Sequence, residues 1–240
     1  ISFANPKASL WLKGRRGLFK KLASAFHTNK QPVVWMHCAS LGEFEQGLPV
    51  LESIRKHYPG YTVLLTFFSP SGFETRKNYK GADHIFYLPM DTPAHANRFF
   101  NIVQPSLVLF VKYEFWYYYL QEASQRNIPT VLVSGIFRKN QPFFQWYGGV
   151  HKKMLTFFSK LFVQSEASAE LLAGIGFHEN VMVCGDTRFD RVLEIARNFE
   201  PLELICHFCK EQPVIIAGST WTEDDEELAH FVKTNGSVKY

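Results

Sequence analysis

Two glutamates lie where short apolar runs give way to turns. Glu43 closes His37-Cys38-Ala39-Ser40-Leu41-Gly42-Glu43, directly after Val33-Val34-Trp35-Met36. Glu114 lies in Lys112-Tyr113-Glu114-Phe115-Trp116, directly after Leu107-Val108-Leu109-Phe110-Val111. A carboxylate just past a strand stands at the sheet edge where open α/β folds bind their ligands. There one carboxylate can take a proton from a substrate hydroxyl while the other orients that hydroxyl or a partner cation. Beside Glu43, Ser40 and Gly42 open a helix. Glycine lets a substrate or another backbone come close, and the helix start offers free N–H groups and a positive dipole end to an anion. The plain alternatives are a dipole-held charge for Glu43 and an ion pair with Lys112 for Glu114.

Further groups suit anions. Arg188, with Asp190, follows Gly185 and can hold a phosphate or carboxylate in a two-pronged grip, or simply pair with the aspartate. Arg138 and Lys139 follow the apolar run Thr130–Val133, and Ser219 and Thr220 offer hydroxyls and helix N–H groups to phosphate. His37 reads as a satisfied core histidine. Cys206-His207-Phe208-Cys209 lacks the second pair that a zinc or redox reading would want. The acidic run Thr222–Glu227 reads as a helix start matched to its dipole. No metal site is expected, and neither a G-x-G-x-x-G after a strand nor a P-loop is present, so no cofactor is expected.

The elements that must position these groups follow from patterning. With 46% hydrophobic, 16% aromatic and 20% charged residues in 240, the chain is globular and not disordered. Four cysteines suit a reducing compartment. Strands are expected over Val33–His37, Thr62–Phe67, His84–Leu88, Leu107–Val111, Thr130–Val133, Lys160–Val163 and Val181–Val183. Helices are expected over Glu43–His57, Ser71–Tyr79, Ala94–Ile102, Phe115–Arg126, Phe143–Phe157 and Glu166–Gly174, with another running after Asp190 to about Phe199. Strict alternation implies parallel βαβ units, and the continuously apolar strands imply burial on both faces, hence a doubly wound α/β domain. After Pro201, the run Pro213–Trp221 reads as a new buried strand opening a second domain. The expected organisation is a basic, aromatic membrane-proximal segment (1–32), a Rossmann-like domain (33–200) and the beginning of another (201–240).

The first segment has no acid before Glu43, yet carries Lys7, Lys13, Arg15, Arg16, Lys20, Lys21 and Lys30 among Trp, Leu and Phe. That mixture suits an anionic membrane surface. The remainder shows no basic stripe or stacking platform, so nucleic acid is not an expected partner.

Taken in order, His37-x-Ala39-Ser40-x-Gly42-Glu43, Thr66-x-x-Ser69-Pro70-Ser71-Gly72, Pro89-x-Asp91, Lys112–Trp116, Gly185–Asp190 and Gly218-Ser219-Thr220 resemble the bacterial 3-deoxy-D-manno-octulosonic acid (Kdo) transferases of lipopolysaccharide biosynthesis. The resemblance implies a glycosyltransferase-B fold of two Rossmann-like domains, the second truncated in this chain. It implies inverting transfer of Kdo from a CMP-Kdo donor to a hydroxyl of a lipid A precursor, lipid IVA, without cofactor or required metal. Under it Glu43 matches the catalytic base and Glu114 the second essential carboxylate. Ser40, Gly42, Arg138, Arg188, Ser219 and Thr220 become the substrate-binding candidates. It also implies the cytoplasmic face of the bacterial inner membrane, and a fragment inactive on its own. The sequence departs from the family in Tyr117-Tyr118-Tyr119 after Trp116, in Trp221 where a histidine is common, and in Arg188 where lysine is usual. The rival readings are a nucleotide-sugar epimerase and a non-catalytic peripheral membrane module.

Overall fold

The computed structural model describes residues 6–210 and 214–234. Seven strands form one all-parallel sheet: β1 (Val33–Cys38), β2 (Thr62–Phe67), β3 (His84–Tyr87), β4 (Pro105–Val111), β5 (Thr130–Gly135), β6 (Lys160–Val163) and β7 (Val181–Val183). Their order is β3-β2-β1-β4-β5-β6-β7, so the winding reverses between β1 and β4. Such a reversal leaves a crevice at the carboxyl ends of the two central strands.

Helices cover both faces, as the unbroken burial of β1 and β2 requires. Alternation along β1 divides the core. Val33 and Trp35 join one cluster with α2 (Leu18–Phe26), α5 (Pro93–Val103), α6 (Tyr117–Gln125), α7 (Gly149–Thr156) and α8 (Glu166–Ala173). Val34, Met36 and Cys38 join the opposite cluster under α3 (Leu41–His57), through Phe44, Leu48 and Leu51. α3 comes close to the sheet because residue 47 is glycine: a Cβ there would stand 2.9 Å from Met36 Sδ and 3.0 Å from Val111 Cγ2.

The seven strands expected between Val33 and Val183 all form, and most helices differ only at their ends. The expected helix 143–157 is instead a 3-10 turn at Pro142–Phe144 followed by α7. Gly148 breaks it, because a Cβ there would collide with the Pro142 carbonyl oxygen. α6 starts at Tyr117 and not at Phe115. Phe115 is committed to an aromatic cluster with Phe137, Phe143 and Phe158, and Trp116 to Glu114.

The basic start of the chain forms α1 (Pro6–Gly14) and α2. α2 buries Leu18, Leu22 and Phe26 in the main core. Arg15, between the helices, turns inward. Its Nε donates to Leu88 O (3.1 Å), and its terminal nitrogens donate to Phe68 O (2.9 Å) and Trp11 O (3.3 Å). Its guanidinium also lies over the rings of Trp11, Phe68 and Tyr87. Burial pushes its pKa down to about 10, against the Tyr87 and Tyr119 hydroxyls.

Residues up to Leu193 make one compact unit and those from Glu194 a second. The second holds α10 (Glu203–Cys209) and α11 (Thr222–Thr234), while α9 (Thr187–Arg197) runs across the boundary. The buried strand expected over 213–221 is not found over 214–221: Ile216 is 90% and Trp221 77% exposed. Pro213 lies outside the described residues. Val214 makes an isolated bridge, and no strand forms among the described residues of that unit.

Candidate active site

β1 and β4 are neighbours, with His37 paired in register with Phe110. The chain leaving β1 reaches Glu43 within the first turn of α3, and the chain leaving β4 reaches Glu114 after a sharp bend. Lys112 makes that bend in the left-handed region, at φ 68. The two carboxylates therefore flank the reversal of strand order. Both act on one atom: burial, then Glu114 and Glu43, push the Cys38 thiol well above the ordinary thiol range.

Their environments differ. Glu43 is half-exposed. One of its oxygens, Oε2, accepts the Ser40 backbone N–H (2.9 Å) and a short bond from the Ser40 hydroxyl. This is the carboxylate half of a capping box. It satisfies the plain reading of a helix-start glutamate and also fixes the carboxylate, while Oε1 makes no hydrogen bond among the described residues. Gly42 is exposed, and a Cβ there would meet only Ser40 Oγ, at 3.9 Å, so the space above this turn is open to a ligand.

Glu114 is only 7% exposed. Its Oε2 accepts Trp116 Nε1–H at 2.5 Å and faces His37 Nε2 at 3.1 Å. The plain alternative, an ion pair with Lys112, does not form among the described residues; the partner is fully buried His37. On its other side, Trp116 packs against Phe68, with 4.8 Å between ring centroids. Phe68 is the residue that Arg15 covers, so the basic segment braces one wall of the site.

Arg138 is exposed on the rim of a cleft of about 570 Å³ lined also by Tyr113, Phe115, Gln141, Phe143 and His151. Tyr113 and Phe115 flank Glu114 in the chain, while the Glu114 side chain does not line the cleft and turns to His37 and Trp116. The Arg138 backbone N–H donates to Gln141 Oε1 (2.9 Å), which shapes the loop and leaves the guanidinium outward. Arg188 takes the bland arrangement weighed for it, with a different aspartate: Nε and a terminal nitrogen donate to Asp186 Oδ2 at 2.9 and 2.5 Å. Asp186 Oδ1 also accepts from Gln46 of α3, at 3.2 Å. The Asp186 hydrogen bond raises the Arg188 pKa, and Tyr113 is among its electrostatic neighbours, which places Arg188 at the same edge. Ser219 and Thr220 belong to the second unit; both are exposed, and Ser219 stands at φ 61. Among the described residues no three His, Cys, Asp or Glu side chains gather as a metal would require.

Sequence reasoning quoted Cys38, Thr66 and Trp116 within motifs but gave them no part in the site, and it did not foresee the Gln46–Asp186 contact. For His37, parity along β1 carries a signal, because it shares its face with Trp35 and so points away from α3.

Sheet order, the crevice at β1 and β4, and helices on both faces define a domain of the glycosyltransferase-B type. Solved structures agree on the fold. UDP-GlcNAc 2-epimerase from Neisseria meningitidis bound to UDP-GlcNAc matches with TM-score 0.57 and 16% identity, covering 86% of this chain and 63% of that one. Another UDP-N-acetylglucosamine 2-epimerase matches with TM-score 0.60 and 14% identity, over 87% and 62%. Sequence identifies the family. The chain belongs to the 3-deoxy-D-manno-octulosonic-acid transferase (kdotransferase) family, whose model matches residues 12–191. It is 29% identical to the 3-deoxy-D-manno-octulosonic acid transferase of Haemophilus influenzae over 201 residues, which are 80% of this chain and 46% of that protein. It is 27% identical to that of Aquifex aeolicus, over 88% of this chain and 54% of that protein. The chain thus spans about half the length of the curated relatives it matches.

Proposed function

We propose that this chain is the acceptor-binding part of an inverting glycosyltransferase that moves Kdo from CMP-Kdo to a hydroxyl of a lipid A precursor such as lipid IVA. Glu43 is the general base. The acceptor oxygen attacks the anomeric carbon of Kdo as the bond from that carbon to the CMP phosphate oxygen breaks. The hydroxyl proton passes to Glu43, and CMP leaves with the electron pair. The observation that carries this reading is the pair of carboxylates flanking the reversal of strand order. One is half-exposed with an oxygen open, as a base must be; the other is fixed and nearly buried. Arg138, Arg188, Ser219 and Thr220 are the groups offered to phosphates and to the carboxylate of Kdo. The part described here is expected to bind acceptor without turning over donor.

The partner surface in this reading is the anionic cytoplasmic face of the inner membrane. Lys13, Arg16, Lys20 and Lys21 are exposed alongside Leu10 and Leu12. A second exposed patch joins Trp146 (95%), Tyr147 and Val150 to Lys139 and Lys153. It lies in a stretch with no acidic residue between Glu122 and Glu166. Aromatic and basic side chains together suit lipid headgroups. Among the described residues no helix is long and apolar enough to cross a membrane.

The test is transfer by the full-length protein from CMP-Kdo to a tetraacylated lipid A precursor, wild type beside Glu43→Gln. Transfer by wild type and its loss in a folded variant supports the reaction and the base. Transfer by both removes Glu43 from that role. Release of an altered free sugar without lipid would instead indicate an epimerase.

A further inference from the structure

Glu114 is held by a buried relay whose donors and acceptors can be counted. Trp35 Nε1–H can only donate, and it donates to Thr66 Oγ1 at 2.8 Å. The Thr66 hydroxyl has a single hydrogen of its own. It faces His37 Nδ1 at 2.9 Å and the Met36 carbonyl at 3.5 Å, so Nδ1 is the better acceptor. On the far side of the ring, Nε2 faces Glu114 Oε2, which already accepts from Trp116. A carboxylate cannot donate, so Nε2 carries the proton.

We propose that His37 is a positioning residue for Glu114, held as the neutral Nε2–H tautomer by the Trp35–Thr66 relay and donating its one N–H to the carboxylate. The inference rests on the reading of Glu114 as part of the transferase site. In this arrangement every polar atom of the relay has a partner, although Trp35, His37 and Thr66 are all fully buried. A charged ring would instead donate from Nδ1 to Thr66 Oγ1 and leave the hydroxyl hydrogen only the long 3.5 Å contact to the Met36 carbonyl. Two donors, Trp116 and His37, then converge on Oε2 alone. Oε1 makes no hydrogen bond among the described residues and is the oxygen left for a substrate hydroxyl or cation. Orientation of the His37 ring is set by packing as well, since Phe110 and Trp116 meet it edge-on at 5.9 and 5.7 Å between centroids.

The test uses the full-length protein with CMP-Kdo and lipid A precursor. His37→Phe keeps the ring volume and removes the donor; His37→Gln keeps an N–H near the place of Nε2. Loss of one donor to a buried carboxylate predicts a fall in kcat of roughly tenfold or more for His37→Phe, with KM for CMP-Kdo little changed. His37→Gln should recover most of that loss at equal thermal stability. Nitrogen-15 spectra of histidine-labelled protein should show one buried ring as the Nε2–H tautomer, with that signature shifted in Thr66→Val. Wild-type kcat in a folded His37→Phe protein, equal losses in the Phe and Gln variants, or an Nδ1–H or doubly protonated ring would each overturn the proposal. Absence of transfer by wild type would refute the transferase reading itself, and the spectra would still decide the relay.

Discussion

Replacing Arg15 by methionine keeps an apolar stem and removes the fork that ties the basic segment to the sheet. Three backbone carbonyls lose their donor, two of them at the short distances of 2.9 and 3.1 Å. A hydrogen bond from a charged donor contributes roughly 1.5 to 3 kcal/mol. The contact over Trp11, with the guanidinium carbon 4.0 Å from the ring centroid, adds about 1 kcal/mol. Burial of the guanidinium, which pushes its pKa down to about 10, works against these gains. A net loss of about 2 to 3 kcal/mol follows, so the melting temperature should fall by roughly 5 to 10 °C for a unit of this size. Arg15→Lys keeps the charge but cannot reach Phe68 O and Leu88 O together, so it should recover less than half of the loss. Thermal unfolding followed by circular dichroism reads both. A melting temperature within about 2 °C of wild type for Arg15→Met, or full recovery by lysine, would refute the view that a forked donor clamps this segment.

The exposed basic residues should behave in the opposite way: Lys13, Arg16, Lys20 and Lys21 changed together to serine should leave the melting temperature nearly unchanged. The same change should release the protein from anionic vesicles in low-salt co-sedimentation, at about 1 kcal/mol per residue. Gly42→Ala should be tolerated by the fold and even stabilise α3 by up to about 1 kcal/mol. If the open space above that turn receives the acceptor, its KM should rise, and an unchanged KM would place the acceptor elsewhere. Gly47→Val should lower stability by about 2 kcal/mol by pushing α3 away from Met36 and Val111, read in urea unfolding. The Asp186 carboxyl, which burial would raise, is drawn below its ordinary value of 3.8 by its hydrogen bonds to Arg188 and Gln46. A lowered acid contributes stability above its unfolded pKa and loses it as pH falls through the folded value. Asp186→Asn should therefore cost up to about 1 kcal/mol at pH 7, and the difference from wild type should fade as pH drops below 3.8 and through the lowered folded value.

Where one periodicity dominated, the sequence was a sufficient guide. Leu107–Val111 could only be a doubly covered strand, and alternation with helical periods left a parallel sheet as the economical arrangement. Placing Glu43 and Glu114 at its carboxyl edge followed from their position just past two such strands. Strand order is not written in local pattern, so adjacency of β1 and β4 became visible only in the fold. Helix ends failed where a tertiary contact outbid propensity: Phe115 and Trp116 have helical neighbours but pack into the aromatic cluster and onto Glu114. Thr92 caps α5, and its neighbour Asp91 accepts the Tyr118 N–H of α6 at Oδ1, a tertiary contact that no local pattern indicates. Arg15 reads as one basic residue among seven, and only the carbonyl ends of β2 and β3 single it out.

The two glutamates share a sheet edge but not a chemistry, and the difference lies in their donors. A base that takes a proton from a hydroxyl in one half of the cycle must return it to solvent in the other, so it needs an oxygen that substrate and water can reach. In the proposed reaction Glu43 would meet that need: its donors come from Ser40 alone, both on Oε2, and the side chain is half-buried. Glu114 meets the opposite one. Its donors, His37 and Trp116, converge on one oxygen and hold the carboxylate in place. In the proposed reaction, a fixed negative charge at this edge would repel the departing CMP if that anion approached from the same side. The donor phosphate is therefore expected to leave on the side of Arg138 and Arg188. Charge reversal there, Arg188→Glu, should weaken CMP-Kdo binding in a titration with the full-length protein and spare acceptor binding; loss of acceptor binding alone would reverse the assignment of the two sides.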